Sequence, residues 1–138
     1  MHDLVVLCAH AVTGWHESWL RALGLRTKWD AYLWRALDRP PAMYFAAITL
    51  RPGVPDDDLA VVRGAVCDNW QELSLERYGL KVWRTEPWFL RLPGPVSIEY
   101  QAAMIGDELE ESAGWTTVGI ARVLTAKQAR TIAAATGG

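Results

Sequence analysis

The sequence predicts a single α+β domain in which a small mixed sheet of three to four strands is packed by helices. Its 138 residues match the usual size of one domain. A composition of 51% apolar and 22% charged residues is typical of a chain that buries a hydrophobic core. Segments with helical periodicity alternate with short segments rich in β-branched and aromatic residues. The predicted order of elements is α-α-β-α-β(β)-α-β-α, which places helices around one sheet.

The amino-terminal third predicts two helices. Across residues 3–23 apolar side chains recur at steps of three or four, which predicts an amphipathic helix. A strand over residues 4–8 is the alternative, because periodicity does not assign a short apolar run. Thr27 and Asp30 resemble a capping box, which predicts a second helix ending near Leu37. The first helix is expected to bury Val5, Cys8, Val12, Trp15, Trp19 and Leu23, with His10, Thr13, Glu17 and Arg21 on the opposite side.

The middle of the chain predicts one strand and one helix. Residues 42–50 are apolar on both alternating faces and include Tyr44, Phe45 and Ile48, which is typical of a central strand covered on both sides. Over residues 57–73 apolar side chains return at helical spacing, behind acidic residues that complement a helix dipole. This second segment is therefore predicted to be a third helix.

The remainder of the chain alternates predicted strands and helices. A proline at position 87 separates two strand-like stretches, and the alternative is one long bulged strand. Thr125 with Gln128 again resembles a capping box and predicts a last helix. The predicted elements are strands over 80–84 and 88–92, a helix from Ser97 that Gly114 ends, a strand over 115–123 and a helix over 125–135.

The charge distribution and hydropathy exclude some classes of partner. Fourteen Lys and Arg are scattered among sixteen Asp and Glu, so no clustered basic surface is expected to neutralise nucleic-acid phosphates. No apolar run approaches the roughly 20 residues that a membrane-spanning helix needs. The first fifteen residues lack a basic segment and a small-residue cleavage site, so we expect no signal peptide and a cytoplasmic protein.

The sequence carries no metal-binding motif. Cys8 and Cys67 each lie in apolar sequence without a second Cys at ligand spacing, so we expect buried free thiols and not a disulfide. The acidic residues between Asp107 and Glu111 are interpreted as a solvated helix face. No metal site is therefore predicted.

Two titratable side chains are candidates for acid–base chemistry. A helical projection puts His16 with the apolar residues, and a buried imidazole needs a partner or titrates abnormally. The alternative is a histidine at the edge of the core, bonded to a backbone carbonyl. Glu86 lies at the predicted strand bend among aromatic residues.

One small core is not expected to bury all eight tryptophans. Trp15, Trp19 and Trp70 lie on apolar stripes and are predicted to be core residues. Trp83 and Trp88 lie on predicted strands, where alternate side chains face outward. Together with Tyr44 they are the candidate walls of an aromatic ligand pocket.

Three segments resemble GNAT N-acyltransferase-like proteins of actinobacteria, over roughly residues 18–95. They are residues 18–25 (SWLRALGL), 40–52 (PPAMYFAAITLRP) and 68–95 (DNWQELSLERYGLKVWRTEPWFLRLPGP). The resemblance implies a mixed α/β fold and acyl transfer from acyl-coenzyme A to an amine. It also implies a general base and backbone N–H groups that hold the thioester oxygen and the pyrophosphate.

The sequence departs from that family at its phosphate-binding loop. The family pattern Q/R-x-x-G-x-G/A is missing after the strand that ends at Leu50, where residues 51–55 read RPGVP. Two prolines remove N–H donors, and the aspartates that follow would repel a pyrophosphate. The sequence therefore predicts either a divergent acyltransferase with acyl-coenzyme A as cosubstrate or a non-catalytic relative. The alternative is a module that binds a small molecule, or a second copy of itself, through a tryptophan-rich surface.

Overall fold

One long helix and six strands make up the described part of the chain. A computed structural model gives the fold, and the structure describes residues 2–91 and 115–126. The helix comes first, and the strands follow in sequence order. The elements are α1 (His2–Ala22), β1 (Thr27–Trp29), β2 (Leu33–Ala36), β3 (Phe45–Thr49), β4 (Ala65–Asp68), β5 (Lys81–Arg91) and β6 (Trp115–Thr125).

The six strands form one mixed sheet in the order β1-β2-β3-β4-β6-β5. Neighbouring strands are antiparallel except for β3 and β4, which run parallel at the centre of the sheet. The predicted α+β class with a mixed sheet is confirmed. The predicted number of strands is too low, because two segments that were expected to be helical contribute strands instead.

Alternating side chains of the central strands enter two separate cores, one on each face of the sheet. Ile48 and Cys67 belong to the core that includes Leu20 of α1, whereas Ala47 and Val66 belong to the other core. The predicted central strand within residues 42–50 is therefore confirmed, since β3 is covered on both faces. The connections before and after β4 cover the second face with Val54, Leu59, Leu73, Leu75 and Leu80.

The first predicted helix is confirmed as α1, but it buries a different face from the one expected. Ala9 and Thr13 are small enough for the helix to lie close to the sheet, and Thr13 donates its hydroxyl to the Ala9 carbonyl at 2.6 Å. At Gly119 of β6, an added Cβ would lie only 2.8 Å from Val5. The buried face therefore consists of Val5, Cys8, Ala9, Thr13, His16 and Leu20, and leaves Trp15, Trp19 and Leu23 exposed.

Residues 27–37 form the antiparallel hairpin β1–β2 and not the predicted second helix. The backbone N–H groups of Tyr32 and Leu33 donate to Asp30 Oδ1 at 2.9 and 2.7 Å. These bonds make a turn at Asp30, a competing structure that aspartate side chains favour as strongly as a helix start. The strand that follows the turn carries the fully buried side chain of Trp34.

Residues 57–73 are also not a helix, and they are divided among a turn, β4 and a connection. The acidic triplet occupies a single 3₁₀ turn, Asp56–Leu59. Gly64 then adopts φ +138°, and an added Cβ there would lie 2.9 Å from the Cβ of Ala46. This conformation and this close approach both require glycine, so the helical path stops before β4 begins.

The carboxyl-terminal predictions are partly confirmed. Of the two alternatives for residues 80–92, the long bulged strand is correct, and Pro87 is tolerated because β5 lies at the edge of the sheet. The predicted strand over 115–123 is confirmed as β6. The predicted helix from Ser97 to Gly114 and most of the predicted helix over 125–135 lie outside the described residues. In the described ranges, no helix has both the length and the apolarity to cross a membrane.

Candidate functional site

An open cleft lies at the amino ends of β3 and β4, on the sheet face that α1 partly covers. Its volume is about 240 Å³. Tyr44 and Phe45, which form one wall, also pack against the core beneath α1, so the cleft lies directly beside the helix. The described lining residues are Ala42, Met43, Tyr44, Phe45, Ala65, Trp83, Arg84 and Val123.

Two β-bulges shape this cleft. The pairing of β3 with β4 skips Ala46, and the pairing of β5 with β6 skips Trp83. A bulge interrupts the regular alternation of side chains and turns its own and adjacent side chains in new directions. Both bulges adjoin lining residues, since Phe45 precedes one and Arg84 follows the other. The irregular pairing therefore helps to place aromatic and charged side chains around one opening.

Arg84 alone is charged among the described lining residues. Its guanidinium carbon lies 4.2 Å from the ring centroid of Trp83, in a cation–π contact. Its Nη2 lies 2.6 Å from Oε1 of Glu86, two residues along the same strand. A guanidinium has five N–H donors, so this one carboxylate leaves others free for a ligand. The cleft thus combines aromatic walls with a positioned, planar cation.

His16 lies behind the aromatic wall and not among the lining residues. Its ring stacks on Phe45 with a centroid distance of 4.9 Å and meets Tyr44 edge-on at 5.9 Å. Burial lowers the pKa of His16, and the bond between Nδ1 and the Val12 carbonyl at 2.9 Å raises it only in part. With a proton on Nδ1 directed at that carbonyl, the neutral imidazole supports the two rings that form the wall.

The opposite, carboxyl ends of β3 and β4 are held together by Asn69, which is almost fully buried. Its backbone N–H donates to Thr49 Oγ1 at 2.9 Å, and its Nδ2 donates to the Thr49 carbonyl at 2.8 Å. Its Oδ1 accepts the indole N–H of Trp88 at 2.7 Å. Ligands of open α/β sheets commonly bind at the carboxyl ends of the strands. The bonds of Asn69 tie the end of β3 to the end of β4 at the place where such a ligand would enter.

No protein-family model, curated protein or solved structure matches this chain. Its chemistry is therefore inferred from its own side chains. Within residues 2–91 and 115–126, no group of three or more His, Cys, Asp or Glu is arranged to hold a metal ion. Cys8 and Cys67 are free and buried, as predicted, and burial raises the pKa of both thiols. Neither thiol has the lowered pKa of a cysteine nucleophile.

The structure brings together two of the three predicted pocket residues. Tyr44 and Trp83 line the cleft. Trp88 lies farther along β5, and its indole N–H is bonded to Asn69 at the carboxyl ends of β3 and β4. Glu86 forms an ion pair with Arg84 of the cleft. Sequence reasoning missed Arg84, although its place two residues before Glu86 put both side chains on one face of a strand.

The tryptophans do not divide as predicted. Trp15 and Trp19, which were expected in the core, are 52% and 48% exposed, and Trp70 is only partly buried. Among the tryptophans whose burial the structure describes, Trp34 is the fully buried one, and its indole N–H donates to Glu17 Oε1 at 3.2 Å. The reason is that α1 turns its small residues to the sheet, which leaves room for a large ring from β2.

Proposed function

We propose that this protein is a binding module for a small planar anion, such as an aromatic carboxylate, and that the cleft at the amino ends of β3 and β4 is its binding site. The observation that supports the proposal is the guanidinium of Arg84, which lies over the Trp83 ring and pairs with the Glu86 carboxylate beside apolar walls. Planar guanidinium groups bind carboxylates through parallel N–H donors, and aromatic rings bind planar molecules by stacking.

The volume of the cleft limits the size of the ligand. A volume of about 240 Å³ is slightly below the range of roughly 300–1,000 Å³ that is typical of drug-sized ligands. A molecule with one aromatic ring and a carboxylate fits this limit. The ring would lie between Tyr44, Phe45 and Trp83, with its anionic group at Arg84.

The two acid–base candidates, Glu86 and His16, support the residues that line the binding site. Glu86 holds the guanidinium of Arg84 in position, and its charge also weakens the attraction of that guanidinium for a second anion. His16 supports Tyr44 and Phe45 from behind. The proposal is therefore one of binding, without a reaction step.

Binding of benzoate, with uncharged benzamide as its isostere, tests the proposal in a titration followed by ¹H–¹⁵N NMR. We expect benzoate to shift the indole N–H signal of Trp83, assigned with a Trp83→Phe variant, and benzamide to bind more weakly. Arg84→Met should weaken benzoate binding by about 10- to 100-fold, the loss of one charge-assisted hydrogen-bonded contact of about 1.5–3 kcal/mol.

Arg77 provides a matched control, because it is also paired with a carboxylate and placed over an aromatic ring. Its Nη2 lies 2.7 Å from Asp57, and its guanidinium carbon lies 4.9 Å from the Tyr78 ring. Arg77→Met should leave benzoate binding unchanged. Equal binding of benzoate and benzamide, or an equal loss in both arginine variants, would contradict a site at Arg84.

Acyl transfer from acyl-coenzyme A is the second candidate function. The parallel pair β3–β4 favours it, because ligands enter open α/β sheets at the carboxyl ends of such strands. The bonds from Asn69 to Thr49 do not favour it, since an acyl-coenzyme A cleft would need these strands to part. Calorimetric titration with acetyl-coenzyme A and longer acyl-coenzyme A tests this candidate, and no heat of binding at millimolar ligand would rule it out.

A further inference from the structure

Arg84 and Glu86 place two opposite charges side by side on one face of β5. In the pairing of β5 with β6, Arg84 lies opposite Val123, which lines the cleft. Glu86 lies opposite Ala121, which belongs to the core on the same face of the sheet. Directly opposed residues of neighbouring strands point to one face. The two charged side chains therefore both lie on the face that carries the cleft, with Cα atoms about 7 Å apart along the strand.

The surroundings of Cys67 give a second observation that places both charges on this face. Burial raises the pKa of the Cys67 thiol, the charge of Glu86 raises it further, and the charge of Arg84 lowers it. Cys67 belongs to the core that the cleft adjoins. Both charged side chains also reach water, with exposed fractions of 48% at Arg84 and 36% at Glu86. A ligand in the cleft can therefore contact both charges.

A ligand with a single negative charge uses only half of this pair of charges. At Arg84 it is attracted by the guanidinium and repelled by the carboxylate of Glu86, whose Oε1 lies 2.6 Å from Nη2 of that guanidinium. A ligand with a single positive charge at Glu86 meets the reverse. A ligand that carries both charges next to each other offsets both repulsions, because each of its charges lies beside the residue of opposite sign.

We propose that the cleft binds the zwitterion of an aromatic α-amino acid, with its carboxylate at Arg84, its ammonium group at Glu86 and its ring against the aromatic walls. This inference rests on the proposed function and narrows its ligand class from aromatic anions to aromatic zwitterions. An ammonium group has three N–H donors and matches a carboxylate acceptor. An amino acid with one ring also meets the size limit of about 240 Å³. Glu86 is then a residue that determines specificity, in addition to its support of Arg84.

Three ligands that share one ring and differ in charge test the inference. L-phenylalanine carries both charges at pH 7, 3-phenylpropionate carries only the carboxylate, and 2-phenylethylamine carries only the ammonium group. Their dissociation constants follow from the ¹H–¹⁵N NMR titration of the Trp83 indole signal. We expect L-phenylalanine to bind about 10-fold more tightly than 3-phenylpropionate, the value of one charge-assisted contact at a partly exposed site. We expect 2-phenylethylamine to bind more weakly than L-phenylalanine, because Arg84 repels it.

Glu86→Gln separates specificity from support, because it keeps the size of the side chain and removes its charge. It should weaken the binding of L-phenylalanine and strengthen that of 3-phenylpropionate, so the preference should fall from about 10-fold to about one. Asp57→Asn is the matched control, since Asp57 pairs with Arg77 at 2.7 Å outside the residues that line the cleft. It should leave the preference unchanged. Far-UV circular dichroism checks that both variants are folded.

The outcomes distinguish this inference from the proposed function. If 3-phenylpropionate and benzoate bind through Arg84 but L-phenylalanine has no advantage, the zwitterion inference is overturned and the anion site stands. A preference that Glu86→Gln leaves unchanged, or that Asp57→Asn also abolishes, overturns the inference as well. If none of these ligands binds, benzoate included, both the inference and the proposed function are wrong.

Discussion

Asn69→Ala is expected to destabilise the fold by more than the loss of one hydrogen bond would. The asparagine side chain bonds to the Thr49 carbonyl at 2.8 Å and to the partly buried Trp88 indole N–H at 2.7 Å, and it also accepts from the buried Cys67 thiol at 3.4 Å. A buried group that loses its only side-chain partner costs about 1–3 kcal/mol. The backbone bond from Asn69 to Thr49 Oγ1 survives the substitution. We therefore expect a loss of about 3 kcal/mol in the free energy of unfolding.

Urea denaturation followed by circular dichroism measures this loss, and a thermal scan should show a midpoint lowered by roughly 10 °C. Gln71→Ala is the matched control, because this amide also donates to a carbonyl, that of Ile120 at 2.8 Å, but is exposed. It should cost less than about 0.5 kcal/mol.

A double-mutant cycle separates the bond to Trp88 from the rest of the effect. Trp88→Phe keeps an aromatic ring and removes the N–H, so Asn69→Ala should cost about 1 kcal/mol less in that background. A coupling free energy of zero would refute a stabilising bond between Asn69 and Trp88. A loss below about 1 kcal/mol for Asn69→Ala alone would refute the view that Asn69 holds the carboxyl ends of β3 and β4 together.

Three further substitutions probe α1 and the residue that precedes β4. Because the folded-state pKa of His16 lies below its ordinary value of 6.5, the unfolded chain takes up this proton first, and stability should fall as the pH drops below about 6.5. His16→Phe should reduce that fall in urea denaturation at pH 8, 6 and 5, and an unchanged pH dependence would contradict a buried neutral imidazole. Gly64→Ala should destabilise by about 2 kcal/mol or more, because its Cβ would meet Ala46 at 2.9 Å and φ is +138°. Gly14→Ala should have the opposite sign, a gain of up to about 1 kcal/mol, since an added Cβ meets nothing within 4 Å in the helix. Equal effects at the two glycines would contradict this account.

Local patterns predicted the elements that local chemistry determines. The period of the apolar residues identified α1, and the two-sided apolar run identified β3. The alternation over residues 115–123 identified β6. These segments were predictable because their periods match the geometry of the helix and the strand, whatever surrounds them.

The two wrong helices show where local patterns are ambiguous. Asp30 can cap a helix or close a turn, and the backbone N–H groups of Tyr32 and Leu33 complete the turn because β2 then finds a partner in β3. In residues 57–73 the helical spacing reflects burial in a connection and in β4. Gly64 was the signal that the segment breaks, since its positive φ ends a helix.

The candidate site depended on tertiary structure to a greater extent than the fold did. Tyr44 and Trp83 were found from their residue type and predicted strand position, but they lie 39 positions apart in the sequence. They line one cleft because the sheet has the strand order β3-β4-β6-β5. Arg84 was not predicted, because a charged residue on a predicted strand does not indicate a binding site until the side chains around it are known. The bulge that skips Trp83 depends on pairing with β6, which the sequence of β5 alone does not determine.

The sequence by itself determined an α+β chain with a leading amphipathic helix, a central buried strand and free buried thiols. The tertiary structure decided which face of α1 is buried, that Trp34 and not Trp15 fills the core, and that an aromatic cleft forms around Arg84. The physical reason is that periodicity identifies which side chains are apolar, whereas close packing decides which of them are buried. At the contact between α1 and the sheet, Ala9 and Thr13 fit where the larger tryptophans do not, and Trp15 and Trp19 therefore stay exposed.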